Sequence, residues 1–222
     1  MGVLPTRLVD LSRLELVVVT DGQGDLARLL HVVGAACAGG VRCVQLREPQ
    51  WTAATLLDAA ERLRPLLDEH DGWLLVNDRV DVAATGVAHG AQVGHRSLPP
   101  TIAREVLGPG AVLGFSAHDA RELDLAAEAG CDFALLSPVW ATTSKPGVAP
   151  LGLATAAALT AGARLPVVWL GGIDGVHAAM APRGASRGRP AGLAVRSAVM
   201  SAADPQQAAA TLLETFRRTG VT

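Results

Sequence analysis

Gln45 and Arg47 close the segment VRCVQLREPQ, near the start of this 222-residue chain. Side chains alternate along a strand, so the amide and the guanidinium share one face. Such a pair presents donors to a partner; the plain alternative is an edge strand with a solvated end. The pattern then recurs. Asn77-Asp78 end WLLVND, Ser116 and His118 end VLGFSAH, and Thr142, Ser144 and Lys145 lie in WATTSKPG. Gly171-Gly172 follow PVVWL, and Ser197-Ala198 follow GLAVR. An imidazole moves protons near neutral pH, which makes His118 the acid/base candidate. Glycine lets backbone N–H groups approach an anion, so Gly171, Gly172, Ser197 and Ala198 are phosphate candidates. Lys145 with its two hydroxyl neighbours, hinged at Pro146-Gly147, reads as a lid over an anionic ligand. Alternation from Val195 and Ser197 assigns Arg196 to the outer layer. His31, His70, His89 and His177 read as surface or packing residues, and His95 lies near enough to the cluster to stay open.

The elements that must position these groups are short apolar runs. Leu14 to Thr20 is nearly continuous in β-branched and leucine residues, as in strands buried on both faces. Further strands are predicted at Val41 to Leu46, Trp73 to Val76, Ala91 to Gly94 and Val112 to Phe115. Three more follow at Asp132 to Val139, Pro166 to Leu170 and Leu193 to Arg196. Between them lie helical periodicities. One runs from Asp25 to Ala38. Another is capped by Thr52, with a kink or break expected at Pro65. Others are Arg79 to Ala84, a segment ending at Leu107, and one opened by a capping box of Asp119 and Glu122. The last three are Leu153 to Ala161, Val176 to Met180, and a helix from Asp204-Pro205 to Arg217. About eight strand–helix units, each of about 25 residues, predict an α/β fold of the (β/α)8 TIM-barrel type. It is read as a single domain over 1–222, with a core of about 14–218. In a barrel the strands' carboxyl ends form the active-site face, and every candidate above sits at one. A doubly wound sheet is the competing architecture. Gly22-Gln23-Gly24-Asp25-Leu26-Ala27 matches GxGxxA, with Glu48 about 20 residues on. Asp21 and Asp25 would set two negative charges where a pyrophosphate must sit.

Composition narrows the classes. The net charge is −2, 50% of residues are hydrophobic, and there is no tyrosine. No nucleic-acid footprint or base-stacking surface is expected. No run approaches the roughly 18 apolar residues of a membrane span, and no signal-peptide core is visible. Cys37, Cys43 and Cys131 form no CxxC pair and read as buried hydrophobes in a reducing, cytoplasmic setting.

Taken in order, VQLRE, LLVNDRVDVA, VLGFSAHDARE, LLSPVWATTSKP, PVVWLGGI and GLAVRSAV resemble the thiamin-phosphate synthase and thiazole tautomerase (TenI-type) superfamily. The resemblance covers roughly Leu14 to Val199 and implies the same barrel. Its synthases join a pyrimidine diphosphate to a thiazole phosphate, release pyrophosphate and need Mg2+. They read QLREK, where this chain has Pro49, and GQxD, where it has Ser97. Asp78 is then the one metal carboxylate left. Both departures remove diphosphate and metal handling, so the resemblance points to the tautomerase branch. That branch isomerises a thiazole phosphate carboxylate by proton transfer and needs no cofactor. It implies His118 as the acid/base and Gly171, Gly172, Ser197 and Ala198 as the phosphate grip. Arg47 and Lys145 would hold the substrate carboxylate, while Gln45, Asn77, Ser116, Thr142 and Ser144 would complete the substrate site. The alternatives are a Mg2+-dependent thiamin-phosphate synthase using Asp78, and a silent binding or regulatory relative. The expected partner is a small phosphorylated thiazole. The oligomeric state, a homo-oligomer included, and the role of the basic loop Arg183 to Arg189 stay open.

Overall fold

A computed structural model of the chain describes residues 10–144, 147–182 and 187–218. Eight parallel strands close into a barrel in chain order. They are β1 Leu16–Val19, β2 Cys43–Leu46, β3 Trp73–Asn77, β4 Gly90–Val93, β5 Val112–Ala117, β6 Phe133–Leu136, β7 Val167–Leu170 and β8 Gly192–Val195. β8 pairs back onto β1, with Val17 opposite Ala194. The architecture is the (β/α)8 barrel expected from the unit count. The main helices are α1 Leu26–Ala38, α2 Ala53–Asp68, α3 Val80–Val82, α4 Pro100–Leu107 and α5 Ala120–Glu128. After them come α6 Gly152–Gly162, α7 Gly175–Ala179, α8 Ser197–Met200 and α9 Pro205–Arg218.

The strands are apolar on both faces because both faces are covered. Val18, Val44, Leu74 and Trp169 face the helices. Val17, Cys43, Leu75, Val112, Phe133 and Val168 fill the barrel interior. Towards the carboxyl end this inner face turns polar, at Gln45, Asn77, Gln92 and Ser116. Helix starts at Asp25, Thr52 and Asp119 follow the sequence signals, and Asp174 adds one that the sequence reading did not name; each accepts a backbone N–H of the first turn.

Three local expectations are corrected. Pro65 neither breaks nor ends α2. It sits in the last turn, and the buried face of Leu56, Ala60, Leu63 and Leu67 holds the helix past it. Glu122 does not complete a box with Asp119. It accepts the N–H of His118 at 2.7 Å, while Asp119 accepts that of Glu122 at 2.9 Å. Arg196 is not on the outer layer. Ala194 packs in the barrel interior, so Arg196, two residues on, shares the inward face.

The GxGxxA turn also has a structural account. Gly22 and Gly24 adopt φ of +77° and +75°, a region open to glycine. Their N–H groups donate to Glu48 Oε1 at 3.1 Å and Oε2 at 2.9 Å. A buried carboxylate from β2's end thus occupies the anion seat that a dinucleotide would need. Asp21 is taken as well, by Arg28 at 3.0 and 2.8 Å. Glu48→Ala would leave two N–H groups without partners. We expect a loss of about 1–3 kcal/mol, read as a lower urea midpoint at unchanged slope. An unchanged midpoint would contradict this role.

All three cysteines are buried and free. Burial pushes the Cys37 thiol up to about 11 and those of Cys43 and Cys131 up to about 12. No helix among the described residues is long and apolar enough to cross a membrane.

Candidate active site at the carboxyl ends of the strands

One cavity of about 660 Å³ opens at the carboxyl ends of the strands. Gln45, Arg47, Asn77, Asp78, Ser116, His118, Thr142, Ser144, Gly171, Gly172, Ser197 and Ala198 all line it. Thus every candidate among the described residues reaches a single space. Lys145 and Pro146 lie outside the described residues, as do 183–186 of the basic loop.

One wall is built on β2, β3 and β4. Gln45 donates to Asn77 Oδ1 at 2.5 Å, and Asn77 donates to Asp78 Oδ2 at 2.7 Å. The Ser97 hydroxyl donates to Asp78 Oδ1 and accepts the N–H of Gly94 at 2.9 Å. Asp78 has φ +61°, which asparagine and aspartate tolerate better than other side chains. This turn directs its carboxylate into the cavity immediately after β3. The Thr20 hydroxyl accepts the N–H of Arg47 at 2.8 Å and so fixes the end of β2. Below this wall, buried Gln92 donates to Ser116 Oγ at 3.1 Å.

The other wall is built on β7 and β8. Gly171 and Gly172 have φ of +106° and +67°. Both also approach the β6 loop closely. A Cβ on Gly171 would lie 2.8 Å from Pro138 Cβ, and one on Gly172 2.9 Å from Trp140 Cβ. Arg196 immediately precedes α8, whose first residues are Ser197 and Ala198, and its side chain makes no capping hydrogen bond there. With eight strands in cyclic order, β3 and β7 face each other across the barrel. Asp78 and Gly171-Gly172 therefore stand on opposite sides of one cavity.

Sequence reasoning missed two of the cavity's cations. Arg47, Arg96 and Arg196 all line it, and none is ion-paired among the described residues. Arg96 follows β4, one residue before Ser97, in the segment set against GQxD, where only Ser97 drew attention. Arg196 was assigned to the wrong face. Between the walls, His118 Nδ1 lies 2.9 Å from Glu122 Oε2, and His95 Nε2 lies 2.9 Å from Glu122 Oε1.

The model of the family described as thiamine monophosphate synthase (TMP-TENI) matches residues 16–199. The chain belongs to that family. A putative thiamine-phosphate synthase of Geobacter sulfurreducens is 41% identical over 186 residues, 83% of this chain and 85% of that protein. The thiamine-phosphate synthase of Laribacter hongkongensis is 44% identical over 184 residues, 82% of this chain and 84% of its own. Thiamine phosphate pyrophosphorylase of Pyrococcus furiosus superposes with a TM-score of 0.82 at 28% identity, covering 94% of this chain and 98% of that one.

These relatives overturn the expectation of a thiazole tautomerase, and with it the isomerase class. The two substitutions behind that expectation have a different meaning in three dimensions. Pro49 is exposed and packs near Gly22, and it is not among the residues lining the cavity. Arg96, by contrast, does line the cavity. Ser97 is hydrogen-bonded to Asp78, so the position still contributes oxygen to the carboxylate's surroundings.

Proposed function

We propose that this chain is a thiamin-phosphate synthase, a transferase that joins a pyrimidine diphosphate to a thiazole phosphate with release of pyrophosphate. The observation that carries this reading is the pair of opposed anion-ready walls. Proton transfer on one thiazole phosphate requires one phosphate grip and one acid/base. A cavity with cations at β2, β4 and β8 suits two anionic substrates held face to face.

In this reading the thiazole phosphate sits on the β7–β8 wall. The backbone N–H groups around Gly171 and Gly172, those of Ser197 and Ala198, and the Arg196 guanidinium hold it. The diphosphate lies on the β2–β4 wall against Arg47 and Arg96. Gln45, Asn77 and Ser116 present amide and hydroxyl groups to the heterocycles between the anchors. Thr142, Ser144 and Lys145 approach from the β6 loop. His118 contacts the bound substrates, with its ring oriented by Glu122. The bond between the pyrimidine's carbon and the diphosphate oxygen breaks, and the electron pair leaves with the diphosphate. The thiazole nitrogen supplies the pair for the new carbon–nitrogen bond. Holding the two substrates on fixed walls converts their encounter into a step within one complex.

The donors present fit Mg2+, which takes oxygen ligands, commonly one or two carboxylates, and retains waters. Asp78, with the Ser97 hydroxyl beside it, would hold the ion. Its chemistry there would be to neutralise charge on the departing diphosphate. The two-wall arrangement predicts a split in steady-state constants. Arg47→Ala should raise KM for the pyrimidine diphosphate by about 10-fold or more and leave that of the thiazole phosphate nearly unchanged. Arg196→Ala should do the reverse. Equal effects of both variants on both substrates would contradict the assignment of walls.

A further inference from the structure

We propose that His95, His118 and Glu122 form a binding site for a borderline divalent transition metal, with Zn2+ the best-fitting ion. His95 follows β4, His118 follows β5, and Glu122 lies in the first turn of α5. One ligand atom from each residue lies within 4.8 Å of the other two. The carboxylate already bridges the imidazoles, 2.9 Å from each, and the rings are 5.3 Å apart at 34°. β4 and β5 are direct neighbours in the sheet, with Val93 opposite Phe115, so the backbones carrying the two histidines are fixed relative to each other.

The donor chemistry selects the ion. Two imidazoles and a carboxylate form a ligand set that Zn2+ accepts in open four-coordinate sites, with the last position left to water or a ligand. Imidazole suits zinc, nickel and copper, whereas Mg2+ prefers oxygen alone. Asp78 and Ser97 offer only oxygen, so the two positions in the cavity separate ions by donor type. A tetrahedral ion with bonds of about 2.0–2.1 Å spaces its ligands roughly 3.4 Å apart. The ligand atoms already lie within 4.8 Å of one another, so that spacing calls only for a side-chain adjustment, and His95 is exposed at the rim. The cysteines do not compete, since burial keeps all three thiols protonated near neutral pH. This inference rests on the three side chains and not on the synthase reading.

The test is a titration of chelator-stripped, untagged full-length protein with Zn2+ near neutral pH, followed by calorimetry. A parallel titration with Co2+ is followed by visible absorption. One ion per chain is expected, with the visible bands of a four-coordinate Co2+ complex. His95→Ala and Glu122→Gln should each weaken Zn2+ binding by about 10–100-fold or more and abolish those bands. His95 is exposed and Glu122→Gln keeps the side-chain shape, so both variants should retain the wild-type circular dichroism spectrum. Arg121→Ala, on the same helix, should bind as the wild type does. Absence of saturable Zn2+ binding, or equal binding by wild type, His95→Ala and Glu122→Gln, would overturn the site.

Discussion

Asp78→Ala should lower the rate of thiamin-phosphate formation by about 10²–10³-fold, the scale for losing one preorganised group at a developing charge. Asp78 is the single carboxylate at the end of β3, held by Asn77 on one oxygen and Ser97 on the other. The serine brings no second negative charge, so the metal role proposed for this wall falls on Asp78. Truncation would remove that charge and the anchor for both neighbours. The expected signature is a fall in kcat together with loss of the Mg2+ dependence. Because Asp78 has φ +61°, Asp78→Asn is the better-matched companion. It preserves the turn and should show a similar kinetic loss with little change in melting temperature. An Asp78→Asn enzyme with wild-type kcat and Mg2+ dependence would remove the metal role from this wall.

Gly172→Ala should be the most damaging single methyl group on the opposite wall. Its backbone sits at φ +67°, where an added Cβ costs about 1–2 kcal/mol. That Cβ would also press on the Ala141 carbonyl oxygen and lie 2.9 Å from Trp140 Cβ. These neighbours are backbone or the root of a large side chain, so relief requires the β6 loop to shift. Overpacking of this kind adds about 1–3 kcal/mol. The shift would move Thr142 and Ser144 together with the phosphate seat, and misplacement of about 1 Å can cost on the order of 10² in rate. A lower melting temperature and a higher KM for the thiazole phosphate are expected together. Gly175→Ala is the control, since a Cβ there meets no atom within 4 Å. Wild-type stability and KM in Gly172→Ala would show that the turn is not part of the seat.

The barrel was legible because its physics is local and repeated. Strands buried on both faces must be apolar throughout, as LVVV of β1 and VVWL of β7 are. Turns and caps such as Asp25, Thr52 and Asp119 mark the intervening helices. The cavity was legible for the same reason, since polar residues at strand ends all fall on one face of a barrel. What failed depended on orientation and distance. Arg196 was misplaced because the sequence does not say which of Val195 or Ala194 faces inward. The GxGxxA spacing singled out Gly22, Gly24 and Glu48 together, but not that the carboxylate accepts both glycine N–H groups across more than 20 positions. The capping-box signal at Asp119 and Glu122 found the start of α5 but missed that Glu122 serves His118 and His95. Pro49 and Ser97 misled for a related reason. Each was read as a lost group at one position, whereas the wall's charge also depends on Arg96 and its oxygen donors on how Ser97 meets Asp78.

The most direct measurement is the coupling reaction itself. Purified full-length protein is mixed with the pyrimidine diphosphate and the thiazole phosphate, with and without Mg2+. Thiamin phosphate and pyrophosphate are then quantified over time. Equal amounts of the two products are expected, formed catalytically and only with Mg2+. No thiamin phosphate over many enzyme equivalents of substrate, with both substrates recovered unchanged, would contradict the synthase reading.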